Sequence, residues 1–69
     1  MDDKKTLIIA INYKAARKWA RREKVHDWEF ISRPEQLVGL SCKDFHWVAM
    51  YGWWDNPAAE EWERWIANG

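Results

Sequence analysis

The chain alternates between unbroken apolar runs and charged amphipathic stretches, and the period of each predicts an element. Residues Thr6 to Ile11, TLIIAI, are continuously apolar or β-branched. No charge interrupts the run, so it is expected as a strand buried on both faces, as in a parallel sheet. Asn12 follows and suits a helix N-cap. From Tyr13 to Lys24 the period changes. Ala16, Trp19, Ala20 and Tyr13 recur at spacings of three and four on one side, and Lys14, Arg17, Lys18, Arg21 and Arg22 occupy the other. That is the signature of an amphipathic helix. Val25 to Asp27 connect it to a second strand, WEFI, at Trp28 to Ile31. In SRPE, Ser32 and Glu35 have capping-box spacing and Pro34 suits a first turn, predicting a short helix through Leu37 and Val38 that ends near Gly39. Lys43 and Asp44 form a polar link. A third strand runs from Phe45 or His46 to Gly52. Asp55, Asn56 and Pro57 signal a helix start, and the last helix covers Pro57 to Ala67 with Ala58, Trp62, Trp65 and Ile66 on one face.

The resulting order is β-α-β-α-β-α over a single α/β domain, residues 1–69. Such alternation favours a parallel sheet with right-handed crossovers. The most apolar strand belongs at the centre, so the expected sheet has three strands in order 2-1-3, a Rossmann-like unit without a glycine-rich loop. The first and last helices are expected on one face of the sheet and the short second helix on the other. Side by side, the basic stripe of the first helix and Glu60, Glu61 and Glu63 of the last would be complementary, although surface ion pairs are individually weak.

Composition narrows the functional classes. The chain has 69 residues, is 48% hydrophobic and contains seven tryptophans. Rings of this size bury roughly 150–250 Å² each, and a domain this small is expected to leave one or two of the seven with a face in solvent. Eleven basic and eleven acidic residues cancel. Neutrality argues against nucleic-acid binding as a default and favours association. The one cysteine, Cys42, rules out an internal disulfide and the usual thiolate zinc sites. A reducing cytoplasm fits it. The apolar run LIIAI after MDDKK is too short for a signal core or a membrane span. No membrane association, metal or cofactor is expected.

The stretch IIAINYKAARKWARREKV, followed by WEFISRPEQLVGL, resembles small α/β accessory proteins encoded by phages of actinobacteria. The resemblance covers residues 7 to 40. It rests on an apolar strand, an Asn-Tyr turn, an Ala/Arg helix, an aromatic strand and an S-x-PEQL-x-GL turn. It implies a phage accessory protein made in a bacterial host cytoplasm, and it carries over no catalytic residues.

Candidate sites follow from the topology. Ligands of open α/β sheets bind beyond the carboxyl ends of the strands. Here that rim comprises Asn12 and Tyr13, Ser32 and Arg33, and Trp54, Asp55 and Asn56. Three helix N-termini and Arg33 could hold an anion or nucleotide there. Yet the turn INYKAA has no glycine, GxxxxGK[ST] and GxGxxG are absent, and Asn12, Ser32 and Asn56 are equally explained as caps. For catalysis, Cys42, Ser32 and Ser41 are the nucleophiles and His26 and His46 the bases, but Cys42 and His46 lie four apart across a loop and a strand start. Asp55 and Glu35 are the acids near the rim, and nothing pairs them. Lys14, Arg17, Lys18, Arg21 and Arg22, with Trp19, form a possible nucleic-acid face.

The most unusual segment is FHWVAMYGWWDNP, residues 45 to 57. Strand alternation puts Trp47, Ala49, Tyr51 and Trp53 on one side and His46, Val48, Met50, Gly52 and Trp54 on the other. A core strand accounts for the first half. It does not account for two indoles at the strand end, on an uncharged sheet edge open to pairing. The expected function is therefore non-catalytic binding of a bacterial host protein, or of a second copy in a homodimer. The contact residues are Tyr51, Trp53 and Trp54, with Tyr13 and Arg33 across the rim. Nucleic-acid binding by the first helix and anion or nucleotide binding at the rim are the alternatives.

Overall fold

The computed structural model describes residues 4–68. Five regular elements follow one another: β1 (Thr6–Ile9), α1 (Tyr13–Arg22), β2 (Trp28–Ile31), β3 (His46–Ala49) and α2 (Ala59–Ala67). Three 3₁₀ turns lie between them, at Pro34–Leu37, Cys42–Asp44 and Trp53–Asp55. The strands form one parallel sheet in the order β2-β1-β3, with Thr6 opposite Trp28 and His46, and Ile9 opposite Ile31 and Ala49. The expected α/β architecture and strand order are thus observed.

Every residue of β1 is buried. Its alternate side chains feed two separate cores. Leu7 and Ile9 pack with Ile31, Leu37, Ala58, Trp62 and Trp65 beneath α2. Ile8 and Ala10 pack with Ala16 and Ala20 of α1, flanked by Trp19, Trp28, Phe30 and Val48. The short side chains at Ala16 and Ala20 let α1 lie close against the sheet.

The distribution of helices corrects one expectation. α1 alone covers one face, while α2 and the Pro34–Leu37 turn share the other. The right-handed crossover accounts for the Pro34–Leu37 turn lying opposite α1, as expected. From β1 to β2 the chain moves one way across the sheet. From β2 to β3 it moves back past β1, so the same handedness places that connection on the opposite face. α2 follows the last strand, so no crossover fixes its face, and it is held there by Ala58, Trp62 and Trp65 against Leu7, Ile9 and Ile31. The basic stripe of α1 and the glutamates of α2 are therefore not neighbours. Glu60 and Glu61 instead meet Arg64 of their own helix, at 3.1 and 3.7 Å.

Element ends differ in instructive ways. α1 stops at Arg22, two residues short of the expected Lys24. There Lys24 takes a left-handed φ of 57°. Its N–H donates to Arg21 O and that of Val25 to Ala20 O, the pattern of a Schellman cap. The predicted second helix is only the 3₁₀ turn Pro34–Leu37, and the supposed polar link at Lys43 and Asp44 is itself a 3₁₀ turn. β3 ends at Ala49 rather than Gly52, and α2 begins at Ala59 rather than Pro57.

Candidate functional site

The strand-end rim is closed by the chain's own side chains. Asn12 Oδ1 accepts the Ala15 N–H at 2.9 Å, as expected of a cap. After β2 the capping group is not Ser32 or Glu35 but Gln36. Its Oε1 accepts the N–H groups of Ser32 and Arg33 at 2.7 and 2.9 Å, and its Nε2 donates to Phe30 O and Glu29 Oε2. Asn56 is 5% exposed. Its Nδ2 donates to Ala10 O and Ile31 O, and its Oδ1 accepts the Ala58 N–H, all at 2.8 Å. One amide thus ties the ends of β1 and β2 to the start of α2, at the carboxyl-end rim of the sheet but on the β2 side of β1 rather than at the β1/β3 switch point. The geometry favours caps over an anion site at these positions.

The aromatic end of β3 is shaped by a glycine. Met50 still donates to Ile9 O at 2.9 Å. Gly52 then turns the chain with φ 85°, and a Cβ there would lie 3.4 Å from Ile11 Cβ. The 3₁₀ turn that follows breaks strand alternation. Trp53 is half-buried against the α2-side core, whereas Trp54 is 54% exposed and Tyr51 90%. Their rings pack edge to face, Tyr51 on Trp54 at 5.1 Å and Trp53 on Trp54 at 6.4 Å. Trp53 supports the exposed pair from beneath.

This surface continues along the sheet edge. Trp47 is 43% exposed and meets the buried Trp62 edge to face at 6.2 Å. Trp47, Ala49, Trp53, Trp62 and Ile66 line an open groove of about 330 Å³ between β3 and α2. His46 and Met50 donate to Lys5 O and Ile9 O. By alternation, the N–H and C=O groups of Trp47 and Ala49 point away from the sheet, where no strand pairs with them among the described residues. Trp62 Nε1 is buried without a partner among the described residues, while Trp65 Nε1 donates to Leu40 O at 2.9 Å.

Of the residues named from sequence, Tyr51, Trp53 and Trp54 come together. Tyr13 belongs to a different aromatic group over β2, stacked on Trp28 at 5.7 Å and edge-on to Phe30 at 5.9 Å. Arg33 is exposed on the loop after β2. Sequence inspection missed Trp47 as a surface residue and Gln36 as a cap. Pro34 followed two positions later by Gln36 was the available signal for the second. On the outer side of α1, Lys14, Arg17, Lys18 and Arg21 line a shallow groove of their own, and Arg22 meets Glu23 at 3.4 Å.

Cys42 is half-buried against the α2-side core, and Ser41 accepts the Lys43 N–H at 3.4 Å. Among the described residues, no three His, Cys, Asp or Glu side chains are grouped as a metal site requires, and no helix is long and apolar enough to cross a membrane. Comparison of the chain with protein-family models, with curated proteins and with solved structures finds no match.

Proposed function

We propose that this protein is a non-catalytic binding module that engages a bacterial host protein through the aromatic surface at the end of β3. The observation that carries this is the Tyr51–Trp54 pair, exposed at 90% and 54% yet held in a defined edge-to-face contact. Large aromatics displayed on a rigid turn are the residues that dominate interface hot spots, because they bury much area while losing few rotamers. Trp47 and its groove extend the surface along the sheet edge. The bacterial partner, and action in a host cytoplasm as a phage accessory factor, rest on the resemblance of residues 7 to 40.

The test is an affinity capture from nuclease-treated bacterial lysate, comparing the native chain with Tyr51→Ala and Trp54→Ala. Neither residue belongs to a core cluster, so both variants are expected to keep the native circular dichroism and to melt within a few degrees of the parent. A single host protein retained by the native chain and lost from both folded variants is the expected result. Equal capture by all three would remove the aromatic pair from the interface.

A further inference from the structure

The neutral total hides a segregated charge. Six of the eleven basic residues and one of the eleven acidic residues fall between positions 13 and 24, so that segment carries +5 and the remainder −5. The fold keeps the two apart, with α1 on one face of the sheet and the glutamates of α2 on the other. Lys14, Arg17, Lys18 and Arg21 share the outer side of α1, and none of the four forms an ion pair with a carboxylate among the described residues.

We propose that this outer side of α1 binds the phosphate backbone of a single-stranded nucleic acid. From Lys14 to Arg21 the helix rises about 10 Å, the length of three steps of about 3.4 Å along one stacked strand, so the four cations can each meet one of four successive phosphates. Tyr13 stands one turn before Arg17, 55% exposed, with its ring already stacked on Trp28. It supplies a fixed platform for an unpaired base, and base stacking on such rings is sequence-tolerant.

Other polyanions fit less well. The acidic side of a second copy is partly neutralised, because Arg64 holds Glu60 and Glu61. An anionic membrane surface would attract the same cations, but the apolar side of α1 that would insert and strengthen such binding, Ala16 and Ala20, is buried against the sheet.

The experiment is fluorescence anisotropy with a labelled oligothymidylate of about twelve nucleotides, run beside its duplex, polyglutamate and anionic phospholipid vesicles. Four phosphate contacts predict that affinity for the single strand falls about fifty-fold between about 50 and about 200 mM salt. Arg17→Gln with Arg21→Gln should halve the slope of log affinity against log salt, and Arg17→Glu with Arg21→Glu should abolish binding. Lys14→Glu with Lys18→Glu repeats the test should the first pair fail to fold. Tyr13→Leu, which keeps an apolar group over Trp28, should lose about tenfold in affinity for the single strand. Trp54→Ala should change nothing, which separates this surface from the aromatic one. No binding at low salt, binding indifferent to both charge reversals, or preference for duplex, polyglutamate or vesicles would overturn the proposal.

Discussion

Asn56→Ala removes three hydrogen bonds in one substitution. Two run from Nδ2 to Ala10 O and Ile31 O, and one runs from the Ala58 N–H to Oδ1, each 2.8 Å long. All three partners belong to residues with no exposed surface. Breaking a bond whose partner stays buried costs roughly 1–3 kcal/mol. A water can enter the space the amide vacates, so the lower half of that range applies, and the three together cost about 3–6 kcal/mol. A domain of this length has about 3–10 kcal/mol of total stability. Asn56→Ala should therefore lower the melting temperature by at least about 12 °C or leave no folded state at all. Urea and thermal denaturation followed by far-ultraviolet circular dichroism measure this directly. A loss under about 1 kcal/mol would refute the role of Asn56 as the tie between β1, β2 and α2.

Asn56→Asp sharpens the test. One carboxylate oxygen could still accept the Ala58 N–H, but the other would face two carbonyl oxygens in a buried site, raising the folded-state pKa above the ordinary value of about 3.9. Protonation restores one donor. The deficit relative to the native chain should therefore be smallest below about pH 4 and should grow as pH rises through the raised folded value. A deficit equal at acid and neutral pH would show that the side chain does not face those carbonyls.

Three further outcomes are expected from denaturation of single variants. Lys24→Gly should stabilise the protein by about 1 kcal/mol, since glycine adopts the left-handed φ of the α1 cap without a Cβ penalty; a loss would contradict that cap. Gly52→Ala and Gly39→Ala should each cost about 1 kcal/mol, since both positions have left-handed φ, at 85° and 79°, and a Cβ at Gly52 meets Ile11 only at ordinary contact distance; a loss at neither would contradict the two left-handed turns. Trp65→Phe should cost about 1 kcal/mol more than Trp62→Phe, because the first leaves Leu40 O without its donor and the second removes an N–H that has no partner among the described residues; the opposite order would point to ring packing as the larger effect.

The aromatic and basic surfaces lie at different places on one small scaffold, and each rests on a local device. Gly52 and the 3₁₀ turn present Tyr51 and Trp54. The outer helix spacing of three and four aligns Lys14, Arg17, Lys18 and Arg21. A chain that used both would bridge a protein and a nucleic acid, and the variants above separate the two proposals.

The sequence by itself determined the order of elements, the central place of β1 and the parallel sheet. These follow from period and from the uninterrupted apolar run TLIIAI, which can be satisfied only between two covered faces. Asn12 as a cap and the basic stripe of α1 were equally legible, being properties of one turn or one helix. Tertiary structure alone decided the rest. Which face α2 covers is fixed by no crossover, since no strand follows it among the described residues, and depends on Trp62 and Trp65 packing against Leu7, Ile9 and Ile31. The double bridge of Asn56 depends on residues 46 and 25 positions away in the chain. The end of β3 depends on the left-handed turn at Gly52, and which indole goes in depends on Trp53 packing against the core beneath α2. Apart from that turn, the deciding contact in each case joins segments distant in sequence, and no local period encodes it.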